Sequence, residues 1–120
     1  MLATEELTAI TGTPRATAML RRLARKHGPL AVFQSGGCCD GSLPLCLLAS
    51  EMTPSPNDVL LGHVGNTPFY IDEEQYKRWG EPEFLLDVAG GAPEGFSFGE
   101  PDGHLVSAPL SGWACEAVAA

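Results

Sequence analysis

Basic residues are scarce in this chain, paired cysteines at zinc-knuckle spacing are missing, and no long apolar run occurs. Each shortage removes a class of function. Seven lysines and arginines stand against fifteen acidic residues, giving a formal net charge of −8 over 120 residues. Such a body repels phosphate backbones, so nucleic acid is not expected as a partner. Five of the seven basic residues do fall together, at Arg15, Arg21, Arg22, Arg25 and Lys26, and they read as the solvated face of a helix. No stretch approaches the roughly 18 apolar residues that span a bilayer. The N-terminus lacks the charged start and apolar stretch of a signal peptide. A membrane partner is therefore not expected, and the expected location is cytoplasmic. No Cys-x-x-Cys pair occurs and no histidine stands in register with one, which excludes a zinc knuckle. A Ser-His-Asp register, a phosphate loop and a dinucleotide fingerprint are all lacking. That weighs against hydrolases, kinases and nucleotide-dependent dehydrogenases, and no motif requires the protein to be an enzyme.

With 44% apolar residues and no internal repeat or linker, the chain reads as a single domain, 1–120. Its core is expected at about 7–108 and a tail of weak structure at 109–120. Residues 7–11 (LTAIT) read as a short strand. Thr13-Pro14 then supplies an N-cap and first helical residue, and Ala16, Met19, Leu20, Leu23 and Ala24 follow at helical spacing. Gly28-Pro29 stops that helix. Strands are expected at 30–34 (LAVFQ), 45–49, 58–64 (DVLLGHV) and 67–71 (TPFYI), the last two joined by a Gly65-Asn66 hairpin turn. Asp72 and Gln75 stand in capping-box register for a short second helix, stapled by Ile71 and Tyr76 and ended at Gly80. Residues 83–88 and the Phe96-Ser97-Phe98 triplet read as further strands, and 101–104 as a turn. The order gives an α+β fold with mixed, mostly antiparallel β structure, an N-terminal helix and a short second helix. Tyr70, Tyr76, Trp79 and Phe84 read as core around the second helix, and Trp113 in the tail either folds back over the core, the preferred reading, or docks a partner.

Against these shortages, sulfur is concentrated. Three of the four cysteines, Cys38, Cys39 and Cys46, lie within residues 33–46 (FQSGGCCDGSLPLC). In a reducing compartment, clustered thiols point to metal binding or redox chemistry more than to structural disulfides. Gly36, Gly37 and Gly41 permit a turn whose exposed amides favour thiolate over thiol. Neighbouring residues on extended chain point oppositely, so one of Cys38 and Cys39 faces inward. Cys39 and Cys46 converge if the loop folds back, and Cys38 either joins them or packs in the core. Soft thiolates suit iron, zinc or copper(I) over magnesium or calcium. His63 is a weaker ligand candidate, since a lone histidine near a turn is ordinarily a polar surface residue. His104 is weaker again. Asp40 could serve as hard ligand or base, but turn formation is its simpler role.

Two resemblances sharpen this reading. The order of elements, Gly37-Cys38-Cys39-Asp40-Gly41 and the stretch 95–101 (GFSFGEP) resemble the HesB-like fold of A-type iron–sulfur carriers. More specifically, residues 35–46, 58–62 (DVLLG) and 68–70 (PFY) look like the bacterial domain-of-unknown-function family seven-seven-nine, whose members are often encoded beside aldehyde dehydrogenases. The resemblance to the carriers implies a HesB-like fold, an iron–sulfur cluster and a homodimer or larger assembly, while the thiolates themselves equally suit a single iron or zinc ion. Cys39 matches the carriers' first cluster ligand, whereas Cys38 and Cys46 have no counterpart there. The carriers place two cysteines, one residue apart, near the C-terminus, where this chain has Cys115 alone. The expected function is a small thiolate metal-binding or iron–sulfur accessory protein using Cys38, Cys39 and Cys46, with a metal or cluster client. Alternatives are a thiol redox protein and a non-catalytic partner of an aldehyde dehydrogenase. A chain of this size cannot itself be an aldehyde dehydrogenase.

Overall fold

The computed structural model describes residues 9–34, 44–51, 53–91, 98–101 and 103–110. Helix α1 spans Pro14–His27, and its start is set by Thr13, whose backbone is extended and whose Oγ1 accepts a hydrogen bond from the Ala16 amide at 3.1 Å. Pro14 follows as the first helical residue, where its missing N–H costs nothing. Ala16, Met19, Leu20 and Leu23 form the buried stripe. Arg25, Lys26 and His27 complement the negative end of the helix dipole, and Gly28, at φ +107°, closes it by donating its N–H to the Ala24 carbonyl at 2.8 Å.

Among the described residues, seven strands form two sheets. They are β1 (Ile10–Gly12), β2 (Leu30–Gln34), β3 (Pro44–Leu48), β4 (Asp58–Val64), β5 (Thr67–Asp72), β6 (Phe84–Gly90) and β7 (Gly103–Pro109). One sheet has the order β1-β6-β7 and the other β3-β2-β5-β4. Helix α2 (Glu73–Arg78) follows β5 directly, capped by Asp72, whose Oδ2 accepts from the Gln75 amide at 3.1 Å. Tyr76 and Ile71 are both buried at its entry. Strand β1 lies along β4 and β3 along β7, so the sheets meet at both edges and enclose a shared core that α1 covers. At the first junction the Ala9 amide donates to the Leu61 carbonyl of β4 at 2.7 Å, and the Ala9 carbonyl accepts from Phe84 of β6 at 2.8 Å. Phe69, Phe84, Met19, Leu20, Leu61, Ile71 and Leu86 fill the centre. Gly12 permits the close approach of β1 to β4, because a Cβ there would stand 2.4 Å from Val64 Cγ1.

The sheets are mixed and mostly antiparallel, as the sequence leads one to expect: β2–β5 and β1–β6 pair in parallel, and β2–β3, β4–β5 and β6–β7 antiparallel. Two features differ from the sequence expectation. Residues 103–109, read as the end of a turn and the run into a weak tail, form β7, which pairs with β6 along its whole length from Gly90↔Gly103 to Phe84↔Pro109. Its inward positions are Gly103, Leu105, Ser107 and Pro109, too mixed to register as an apolar face. Phe98 belongs to no strand; it packs on the core and its ring stacks on His27 at 4.4 Å. Phe96 and Ser97 lie outside the described residues, as do residues 7 and 8 of the first expected strand.

The start of α1 is tied to β6 by one carboxylate. Asp87 accepts from Arg15 Nε at 2.9 Å and Nη2 at 3.2 Å, from Thr13 Oγ1 at 2.8 Å and from the Val88 amide at 2.8 Å. The Arg15 guanidinium first, then the Val88 N–H and the Thr13 hydroxyl, hold its carboxyl well below the usual carboxylate range. A depressed folded-state pKa contributes stability that is present above the unfolded value, about 3.9, and is lost as pH falls through the folded one. Urea midpoints should therefore decline below about pH 4, and Asp87→Asn should flatten that acid arm while lowering the neutral midpoint. Thr13→Ala, which removes the cap and a ligand of Asp87 together, should cost about 1–2 kcal/mol at neutral pH, with Thr13→Ser recovering most of it.

Candidate functional site: the cysteine hairpin

Antiparallel β2 and β3 are paired from Leu30↔Leu48 to Gln34↔Pro44, so residues 35–43 are the connection of a hairpin whose feet are fixed. Cys46 stands two residues inside the β3 foot, opposite Val32. It faces the core with no exposed surface and is not in a disulfide. Burial pushes its thiol up to about 12, because an apolar surround disfavours the anion. Its carbonyl accepts from the Phe98 amide at 2.8 Å, which links β3 to the ring stacked on His27.

The same end of the interior holds polar groups that the sequence reading did not single out. Gln34 ends a strand buried at all five positions, and its Oε1 accepts a hydrogen bond from Ser107 Oγ of β7. Since Val32 and Gln34 share a face, Cys46 and Gln34 are diagonal neighbours on adjacent strands, at roughly 7–8 Å between backbones. A thiol, an amide and a hydroxyl thus occupy the interior at the end of the sheet where residues 35–43 depart. The signal for Gln34 was available in LAVFQ, where a polar residue closes an apolar run. Ser107 gave none, because its strand was not recognised.

The structure separates His63 from Cys46. His63 is exposed on β4, opposite Pro68 on the outer face, whereas Cys46 is inward on β3. Strands β3 and β4 are the two edges of their sheet, three strand spacings or about 14 Å apart. These two residues cannot share one ion within the chain, because they stand at opposite edges and point to opposite faces. His104 shares a 2.9 Å hydrogen bond between its Nδ1 and the Gly91 carbonyl, beside the β6–β7 connection. Among the described residues no three His, Cys, Asp or Glu side chains converge as a metal-holding group. Gly36, Gly37, Cys38, Cys39, Asp40, Gly41, Cys115 and Trp113 lie outside the described residues. Of the helix arginines, Arg15 pairs with Asp87, and Arg22 Nε reaches Glu100 at 2.7 Å.

Fold and hairpin together define a small α+β domain with mixed sheets that carries a thiol-rich connection at one end of its core. Residues 19–108 match the family described as domain of unknown function DUF779, and the chain belongs to that family. The matched span runs from within α1 to within β7 and contains the whole hairpin. No curated protein and no solved structure matches the chain. Among the described residues, no helix is long and apolar enough to cross a membrane.

The buried thiol makes a direct prediction. Cys46 should resist iodoacetamide in the native protein and react once the chain is unfolded by denaturant. Its raised pKa contributes stability that is present below the unfolded value of about 8.5 and is lost as pH rises toward the folded one. The alkaline decline in urea midpoint should therefore be shallower in Cys46→Ala than in the native sequence.

Proposed function

We propose that the protein is a small cytoplasmic metal-binding or iron–sulfur accessory protein of HesB-like fold that works through the thiols of the β2–β3 hairpin. The observation that supports this reading most is the position of Cys46. It lies inside the core, two residues past the foot of a connection that carries Cys38 and Cys39 among Gly36, Gly37 and Gly41. The length of the connection between the paired feet bounds how far Cys38 and Cys39 can lie from Cys46. The donor chemistry fits a soft or borderline ion, iron, zinc or copper(I), and the apolar surround of Cys46 would keep water from such a centre. Burial opposes a bare thiolate at Cys46, and a bound cation would offset that opposition by replacing the proton.

Cys39 is proposed as the first ligand, with Cys46 and Cys38 as its partners and Asp40 or Cys115 as further donors; His63 has no place in that set. When bound, iron or zinc would supply a Lewis-acid centre, and a cluster an electron- or cluster-transfer centre. The chain's own contribution is to present thiolates, stabilise their charge through the glycine-rich backbone and exclude solvent from the inner side. A client metalloprotein or an aldehyde dehydrogenase is the proposed partner and a homodimer or larger the proposed assembly, both resting on the family resemblances. A thiol redox role is less well supported, since a thiol with a pKa of about 12 is a poor attacking group at neutral pH, whether as first nucleophile or as resolving partner.

Elemental analysis after anaerobic purification tests the proposal. Iron or zinc should be present in near-stoichiometric amount and should protect thiols from alkylation. Cys39→Ser should lose that metal while the unfolding midpoint of the reduced, metal-free protein moves little. Unchanged metal content and thiol reactivity in Cys39→Ser, with a stability loss of about 1–3 kcal/mol, would instead make Cys39 a buried packing residue.

A further inference from the structure

Among the described residues, a groove of about 650 Å³ lies between α1, the β4–β5 turn and the residues that follow α1 and β3. Its volume falls in the range of small-molecule sites. Ala24, Leu30, Ala49 and Pro68 give it an apolar lining, and Arg21 and Arg25 stand along one rim. These arginines are one helical turn apart on the same face of α1.

Their electrostatic situation is unlike that of the chain's other cations. Arg15 is paired with Asp87, Arg22 with Glu100, Lys77 with Glu73 and Arg78 with Glu74, and Lys26 acts on the Glu100 carboxylate. Arg21 and Arg25 make no ion pair with any described residue, in a chain with an acidic excess of eight charges. Like charges at this spacing oppose each other, so the helix carries a cost that a bound anion would remove.

The walls of the groove are built rather than incidental. The β4–β5 turn places Gly65 at φ +56° and Asn66 at φ +70°, and brings the Gly65 backbone against the helix so closely that a Cβ would meet the Thr17 carbonyl at 3.2 Å and Arg21 Cγ at 3.4 Å. The turn thereby lies close against the stem of Arg21. On the opposite side, the Ala49 amide donates to the Pro29 carbonyl at 2.9 Å and holds the far wall.

We propose that this groove binds a small organic anion, its carboxylate or phosphoryl head bridging Arg21 and Arg25 and its apolar body lying on Ala24, Leu30 and Ala49. Two guanidinium forks at one rim suit an oxyanion with several acceptor atoms. The apolar lining gives preference to an anion with a hydrocarbon or aromatic body over a bare ion. The acidic remainder of the surface repels polyanions, which selects for a ligand small enough to sit within the local positive field.

The test is titration of the isotope-labelled full chain with benzoate, phenyl phosphate, acetate and inorganic phosphate, followed by amide chemical shifts. Saturable shifts are expected at Gly65, Asn66 and Ala49, with the two aromatic anions binding about tenfold or more tighter than the bare ones. The order of benzoate and phenyl phosphate identifies the head group. The double variant Arg21→Gln/Arg25→Gln should lose about tenfold or more in affinity with helix content and unfolding midpoint retained, and Arg78→Gln should bind as the native protein does. Ala49→Leu, which narrows the groove, should weaken the aromatic anions alone. The proposal is overturned by the absence of saturable shifts up to about 10 mM, by unchanged affinity in the double variant, or by bare ions binding as tightly as aromatic ones. Tighter binding of a glutamate-rich peptide or of phosphatidylserine vesicles would also overturn it, in favour of a macromolecular anion.

Discussion

One peptide unit on either side of Ala9 is bonded into both sheets at once: the amide to Leu61 of β4 and the carbonyl to Phe84 of β6. Much of the molecule follows from that junction. It places β1 parallel to β6, which carries Thr13 to the Leu86 carbonyl at 2.9 Å and starts α1 where Asp87 receives both Thr13 and Arg15. The direction of α1 is thereby set across the sheets, with Met19, Leu20 and Leu23 in the core and the arginines outside. The helix in turn delivers the chain at Leu30 to the middle of the second sheet, where β2 lies between β3 and β5. The hairpin that bears the cysteines is thus held at an end of the core by elements far from it in sequence.

Local chemistry made much of this legible. The caps at Thr13 and Asp72, the stop at Gly28, the turn at Gly65-Asn66 and the spans of β2 and β4 are all properties of a few adjacent residues, and each stands where the sequence places it. What escaped depends on partners distant in the chain. Parallel pairing of β2 with β5 leaves no local mark, because a strand's own pattern does not state its neighbour's direction. β7 escaped because its inner face is glycine, leucine, serine and proline, and because Pro109 closes an edge strand, where the missing N–H is tolerated. The aromatic pair around Ser97 imitated strand alternation, yet Phe98 is held by its amide to Cys46 and by its ring on His27.

The candidate site divides in the same way. Clustering of thiols on glycine-rich chain is a sequence property, and the hairpin topology agrees with a connection between two strands. That Cys46 faces inward, and that His63 stands at the far edge on the other face, are properties of the sheet order, which no spacing along the chain encodes. The cation cluster was likewise visible, but not its division into arginines bound to carboxylates and the two that border a groove.

The hydrogen bond between Ser107 and Gln34 has a consequence for how the strands find their alignment. Strand β2 is covered on both faces: Val32 faces the core, while Phe33, itself buried, stacks on Tyr70 at 5.1 Å on the opposite side. Moving such a strand by one residue would exchange apolar groups for apolar groups, so hydrophobicity discriminates weakly between the two alignments. The amide of Gln34 does discriminate, because a one-residue shift would turn it to the other face and strand the Ser107 hydroxyl in a dry interior. This polar contact acts as an indexing pin, and it spends its specificity at the residue from which the cysteine-bearing connection departs.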